Sequence, residues 1–179
     1  MIVSEKSGRY LDKLFGLEGK TAVVTGGNRG IGQVVARGLA NAGAEVVILS
    51  RSGGAETVRI IQEDGNRAYD IKADVTDEKS VDRAVEEIEK RSGGIHVLFN
   101  NAGICIHKST FEASIEEFRR VVDVNLTGEY IMARSAAKLM VRKKIHGSII
   151  NMASMSGTIV NIPQWQASYN ASKEIGRAH

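Results

Sequence analysis

Late in this 179-residue sequence stands the run Tyr169-Asn170-Ala171-Ser172-Lys173, a phenol and an ammonium four positions apart. On a helix that spacing puts both side chains on one face. A free phenol titrates near about 10, so general acid or base work at neutral pH calls for a downward shift of roughly three units, worth about 4 kcal/mol. A neighbouring lysine cation has the right sign to supply it, because it favours the phenolate. Such a pair also arises by chance, so its value depends on what surrounds it. A second stretch, TGGNRGIG from Thr25 to Gly32, follows an apolar run and opens a helical period. Backbone N–H groups in such a turn, at the positive end of a helix, suit the pyrophosphate of a dinucleotide. Gly26, Gly30 and Gly32 read as the turn, the close backbone approach and the helix–strand packing position.

The elements that must hold these groups can be read from periodicity. TAVVT, a helix with Ile31, Val34, Val35 and Leu39 at helical spacing, a stop at Gly43 and the run EVVILS make a strand–helix–strand unit. Then follow a helix with Val58 and Ile61 on one face, a strand RAYDIKADV, and a charged helix with Val81, Val85 and Ile88 at i, i+4 and i+7. IHVLFNNAG reads as a fourth strand and GSIINMAS as a fifth, with a long helix between them. That helix begins with the capping box Ser114 and Glu117 and carries a stripe of Phe118, Val121, Val122, Asn125 and Leu126. Strands that alternate with helices and are apolar on both faces predict an α/β doubly wound parallel sheet, a Rossmann fold.

The turn is spaced Thr-Gly-x-x-x-Gly-x-Gly, and with it stand ADV at Asp74 and Val75, NNAG at Asn100 to Gly103, then Asn125, Ser154, Tyr169 and Lys173 in that order. Together these resemble the short-chain dehydrogenase/reductase (SDR) family from about residue 20 to 173, and the loop before Tyr169 is similar to sorbose-reductase-like and other sugar or polyol members. The resemblance implies catalytic roles for Asn125, Ser154, Tyr169 and Lys173. Ser154 opens a Ser-x-x-Gly form and would hold a substrate carbonyl oxygen. Ser156 is its competitor without that spacing. Asn125, a polar residue on an apolar stripe, is either a packed amide with a water or part of a proton relay from Lys173. The implied cofactor cradle is Gly26, Asn28, Arg29, Gly30, Ile31, Gly32, Arg51, Asp74, Val75, Asn101, Ala102 and Gly103, with Tyr169 and Lys173 at the nicotinamide end.

A carboxylate at the end of the second strand would bond the ribose hydroxyls and favour NAD. Here that strand ends in Ser50 and Arg51, and Arg29 lies inside the glycine turn. Two guanidiniums suit a 2′-phosphate, so NADP (NADPH) is the expected cofactor, with NAD the alternative. The reaction implied is hydride transfer between NADP(H) and a ketone or secondary alcohol of sugar or polyol type, with Gln164, Trp165 and Gln166 bordering the pocket. A 3-oxoacyl-thioester reductase of the same family and a non-catalytic cofactor-binding fragment are the alternatives.

Composition narrows the rest. A net charge of +3, with Lys and Arg interspersed among Asp and Glu, leaves no nucleic-acid footprint. The single cysteine, Cys105, excludes an internal disulfide and reads as a small buried thiol; the four histidines have no metal-ligand spacing. No signal peptide or spanning run is visible, so the expected location is cytoplasmic, with no membrane partner. The chain reads as a single NAD(P)-binding domain over residues 1–179, with a leader at 1–18 and truncation at its C-terminal edge. The resemblance implies that a complete member continues beyond Lys173 through the rest of the catalytic helix, a sixth strand, a substrate-binding loop and helix and a seventh strand, and that the parent is a homo-oligomer, commonly a tetramer. Residues 174–179, EIGRAH, back-translate as GAG ATC GGA AGA GCA CAC, which resembles a sequencing-library adapter; they read as a non-native tail.

Overall fold

The computed structural model describes Tyr10 and residues 14–174. Most of the leader and residues 175–179 of the expected tail lie outside the described residues.

Five short strands, β1 (Thr21–Thr25), β2 (Glu45–Ser50), β3 (Ala68–Lys72), β4 (Val97–Asn100) and β5 (Ser148–Asn151), form one sheet in the order β3-β2-β1-β4-β5. Every pairing is parallel, with Val23 opposite Val47 on one side and Leu98 on the other. Helices cover both faces: α1 (Gly30–Asn41) and α2 (Ala55–Glu63) on one, α3 (Glu78–Ser92) and the long segment after β4 on the other. The strand order reverses at β1, between β2 and β4, so the loops leaving β1 and β4 part there and open a crevice above the strand ends.

Local chemistry explains the boundaries. Asp77 caps α3 by accepting the Lys79 N–H at 3.0 Å, Gly93 ends it at φ +79°, and Lys90 and Arg91 complement its C-terminal end. Its inner face buries Val81, Val85 and Ile88, worth about 5–9 kcal/mol of transfer free energy before ordering costs. The long segment begins as α4 (Ile115–Val122), where Ser114 and Glu117 form the expected capping box. It then opens into a single π turn at Asp123–Thr127 and resumes as α5 (Gly128–Lys143).

Two stripes differ from the periodic reading. In α1 the buried residues are Gly32, Ala36 and Ala40, with Val35 and Leu39 packed beside them, whereas Ile31 and Val34 are exposed. Small residues face the sheet because α1 lies close against it. Phe118 on α4 is likewise exposed while Val121 is fully buried. Leu17, inside the expected leader, donates its N–H to Ala42 O and packs on the core below α1. β5 forms the sheet edge with Ile149 and Ile150 exposed. No helix among the described residues is long and apolar enough to cross a membrane.

Candidate active site

The crevice holds a cavity of about 510 Å³. Its floor is the turn from β1 to α1, with Gly26, Asn28, Arg29, Gly30 and Ile31 on the wall. Arg51 borders it from β2, Asp74 and Val75 from the loop after β3, and Asn101, Ala102 and Gly103 from the loop after β4. The glycines divide their work. Gly26 takes φ +64°, and a Cβ there would meet Ala102 Cα at 3.0 Å. At Gly32 a Cβ would lie 2.5 Å from Gly26 O, so only glycine lets α1 start this close to β1. Gly30, at φ +57°, has nothing within 4 Å of such a Cβ, and its open side faces the cavity. Gly32 therefore sits behind the wall, as the packing position requires.

The walls are cross-braced. Thr25 Oγ1 accepts the N–H groups of Asn101 and Ala102 at 2.9 and 3.0 Å, and Asn101 Nδ2 donates to Thr25 O and Gly26 O. Asn28 Nδ2 donates to Ser52 Oγ at 3.2 Å and joins the glycine turn to the end of β2. Burial alone would raise the Asp74 carboxyl, but two hydrogen bonds from Thr76 and the charge of Arg51, 3.9 Å away, outweigh it and hold it below the ordinary value. Asp74 is thus an ionised group leaning on the one cation at the end of β2.

The second half of the site is carried by helix α6 (Ala167–Glu174), which bears Tyr169 and Lys173. Tyr169 is half-buried. Lys173 is 5% exposed and donates from Nζ to Met152 O at 2.5 Å. Burial pushes its ammonium below the ordinary lysine value, against an opposing pull from Glu129. Ser154 caps a 3-10 turn, Met155–Gly157, with its hydroxyl accepting the Ser156 N–H at 3.1 Å. Ser156 is buried and its hydroxyl is taken by Asn161 and Gln166, so of the two serines Ser154 is the more open. A Cβ on Gly157 would lie 2.5 Å from Lys173 O, which gives the Ser-x-x-Gly spacing a physical reason: α6 passes directly over that glycine.

Asn125 occupies the middle of the π turn, 1% exposed. The extra residue of the turn aims its amide inward. Its Oδ1 accepts the Ile104 N–H at 2.8 Å, and its Nδ2 donates to Ile104 O at 2.9 Å and to Ser172 Oγ at 3.0 Å. Ser172 in turn donates to Tyr169 O at 2.8 Å. Both amide hydrogens are therefore spent on holding the β4 loop and α6 together.

Residues expected at a substrate pocket separate into two groups. Gln164 and Trp165 line an open groove of about 560 Å³ with Lys108, Thr110 and Asn170. Gln166 borders the same groove, but it is buried and its amide is already engaged, with Nε2 donating to Ser156 and Oε1 accepting from Cys105. Cys105 is exposed rather than buried, and partial burial still raises its thiol, which disfavours the nucleophilic thiolate. Among the described residues no three His, Cys, Asp or Glu side chains converge as a metal site. Ser52 and the role of Ser172 escaped the sequence reading, whereas Thr25 and Gly157 stood inside its motifs without a role of their own.

Residues 20–177 match the family described as short chain dehydrogenase. The chain is 40% identical over 165 residues to a sorbose reductase of Candida albicans, covering 89% of this chain and 58% of that one. It is 39% identical over 172 residues to a probable NADP-dependent mannitol dehydrogenase of Yarrowia lipolytica, covering 94% and 62%. A 3beta-hydroxysteroid dehydrogenase of Eggerthella lenta is 41% identical over 160 residues, covering 88% and 60%. A short-chain type dehydrogenase/reductase structure from Mycobacterium marinum superposes with a TM-score of 0.89 at 38% identity, covering 90% of this chain and 66% of that one. The chain thus spans less than two thirds of these relatives' own lengths. With its 3-2-1-4-5 parallel sheet and a family match over most of its length, the chain belongs to the short-chain dehydrogenase/reductase family of oxidoreductases.

Proposed function

We propose that this chain carries the cofactor cleft and catalytic groups of an NADP(H)-dependent carbonyl reductase acting on a ketose or polyol. The observation that carries the reading is the cleft of about 510 Å³, whose open Gly30 face and α1 N-terminus offer backbone N–H groups to a pyrophosphate. The residues present fit a nicotinamide dinucleotide: Asp74 and Val75 lie where the adenosine would rest, and Asn101 to Gly103 where the chain must approach the nicotinamide half. Such a dinucleotide would supply the hydride. Tyr169 would give the carbonyl oxygen its proton, Ser154 would donate a hydrogen bond to the same oxygen, and the Lys173 cation would favour the phenolate that remains. Asn125 would hold α6 against the Ile104 loop and serve the relay only through its surroundings, since its own amide is committed.

NADP is favoured over NAD because no acid ends β2 and Arg29 and Arg51 both face the cleft. The sorbose and mannitol relatives support the substrate class, and the hydroxysteroid relative supplies the shape to test against it. The protein would work in the cytoplasm as a homo-oligomer, with the exposed Ile115, Phe118 and Tyr130 on α4 and α5 as contact residues, and sedimentation velocity would read its mass.

The test is NADPH oxidation against ketoses, a 3-oxoacyl thioester and a steroid ketone, with Tyr169→Phe alongside. Ketose turnover that falls about 10²–10⁴-fold in Tyr169→Phe, with NADPH binding unchanged, supports the reading. Reduction of the thioester or steroid alone moves the substrate class. Binding without any turnover makes the chain a cofactor-binding half-domain.

A further inference from the structure

A second cavity, of about 350 Å³, adjoins the cofactor cleft and shares two wall residues with it, Arg51 and Val124. Its other walls are Thr76, Glu116, Arg119, Arg120 and Asp123, so it lies between the loop after β3 and helix α4. Arg119 and Arg120 are exposed, and neither joins an ion pair among the described residues. Arg51 is different. Its guanidinium already leans on ionised Asp74, so a phosphate set beside Arg51 alone would also face that carboxylate. Three guanidiniums and two carboxylates, Glu116 and Asp123, border this cavity, an excess of one positive charge, and arginine forks suit phosphate oxygens.

We propose that Arg119 and Arg120 are specificity-determining residues for the 2′-phosphate of NADP(H), reaching it from α4 across the shared Arg51 wall. The inference rests on the NADP reading above and extends it to residues on α4, remote in sequence from the end of β2. Arg51 then serves as a hinge between two cavities: it is released from Asp74 as the phosphate takes its place, and the α4 guanidiniums add to the charge that Arg29 and Arg51 present.

The experiment is calorimetric titration of the chain with adenosine 2′,5′-bisphosphate and with 5′-AMP at low and physiological salt. The wild-type chain should bind the bisphosphate more tightly. Arg119→Gln/Arg120→Gln should weaken bisphosphate binding about five- to tenfold at low salt, flatten its salt dependence and leave 5′-AMP within about twofold. Glu116→Gln, which removes a competing carboxylate, should strengthen bisphosphate binding about twofold. A gain of that kind cannot come from misfolding. A wild-type preference that survives the double arginine variant unchanged overturns this inference alone. Equal wild-type affinity for the two nucleotides overturns the NADP reading and this inference with it.

Discussion

Thr25→Val is the sharpest probe of how the cleft is built. Thr25 is 1% exposed, and its hydroxyl accepts two backbone N–H groups, from Asn101 at 2.9 Å and Ala102 at 3.0 Å, in the loop after β4, far away in sequence. Valine keeps the shape and removes the acceptor. Each fully buried donor left without a partner costs about 1–3 kcal/mol; both loop residues are only half-buried, so about 1–1.5 kcal/mol each is appropriate. The added methyl returns at most about 1 kcal/mol, which leaves a net loss of about 2 kcal/mol. For a chain of this size that lowers Tm by about 4–8 °C. Thermal unfolding followed by circular dichroism reads it, and Thr25→Ser, which keeps the acceptor and loses one methyl, should cost only about 1 kcal/mol. The loosened Asn101–Gly103 wall should also lower nucleotide affinity. If Thr25→Ser proves more damaging than Thr25→Val, the methyl and not the hydroxyl matters, and the bracing argument is wrong.

Further consequences can be checked by similar means. Gly32→Ala, whose Cβ would sit 2.5 Å from Gly26 O, should cost about 1–3 kcal/mol of stability and abolish nucleotide binding. Gly30→Ala, strained at φ +57° but free of clashes, should cost only about 1–2 kcal/mol, as equilibrium urea unfolding would show. Ser172→Ala strands a buried Asn125 donor and should cost about 1–2 kcal/mol, with Ser172→Thr milder; an unchanged urea midpoint in Ser172→Ala would count against the link. For Lys173 the sign is set by its lowered value. The folded state binds its proton less readily than the unfolded chain, so wild-type stability relative to Lys173→Met should rise with pH from that lowered value up to 10.5, then level off. A flat difference across that range would contradict the burial of the ammonium.

What could be read from the sequence were features that repeat at short range. Val81, Val85 and Ile88 gave α3 its inner face because one helix and one sheet meet there on branched side chains. The Ser114–Glu117 box fixed the start of α4 because capping is a matter of four consecutive residues. Ile31 and Val34 misled because α1 meets the sheet through Gly32, Ala36 and Ala40, and smallness at an interface leaves no hydrophobic signal. The Thr25 brace and the Asn125–Ser172 bond join residues 76 and 47 positions apart, and nothing local in either partner announces the other. Cys105 is exposed and the Gln166 amide, though at the groove, is engaged by Ser156 and Cys105 for the same reason: which way a loop side chain turns is decided by neighbours that only the fold supplies.

The central claim, that the crevice at the β1–β4 switch point is an NADP(H) site, is tested most directly by titrating this chain with NADPH and with NADH in a calorimeter. The account predicts saturable one-to-one binding of NADPH, at least about tenfold tighter than NADH, competed by adenosine 2′,5′-bisphosphate and lost in Gly32→Ala. No saturable binding of either nucleotide, or tighter binding of NADH, would contradict it.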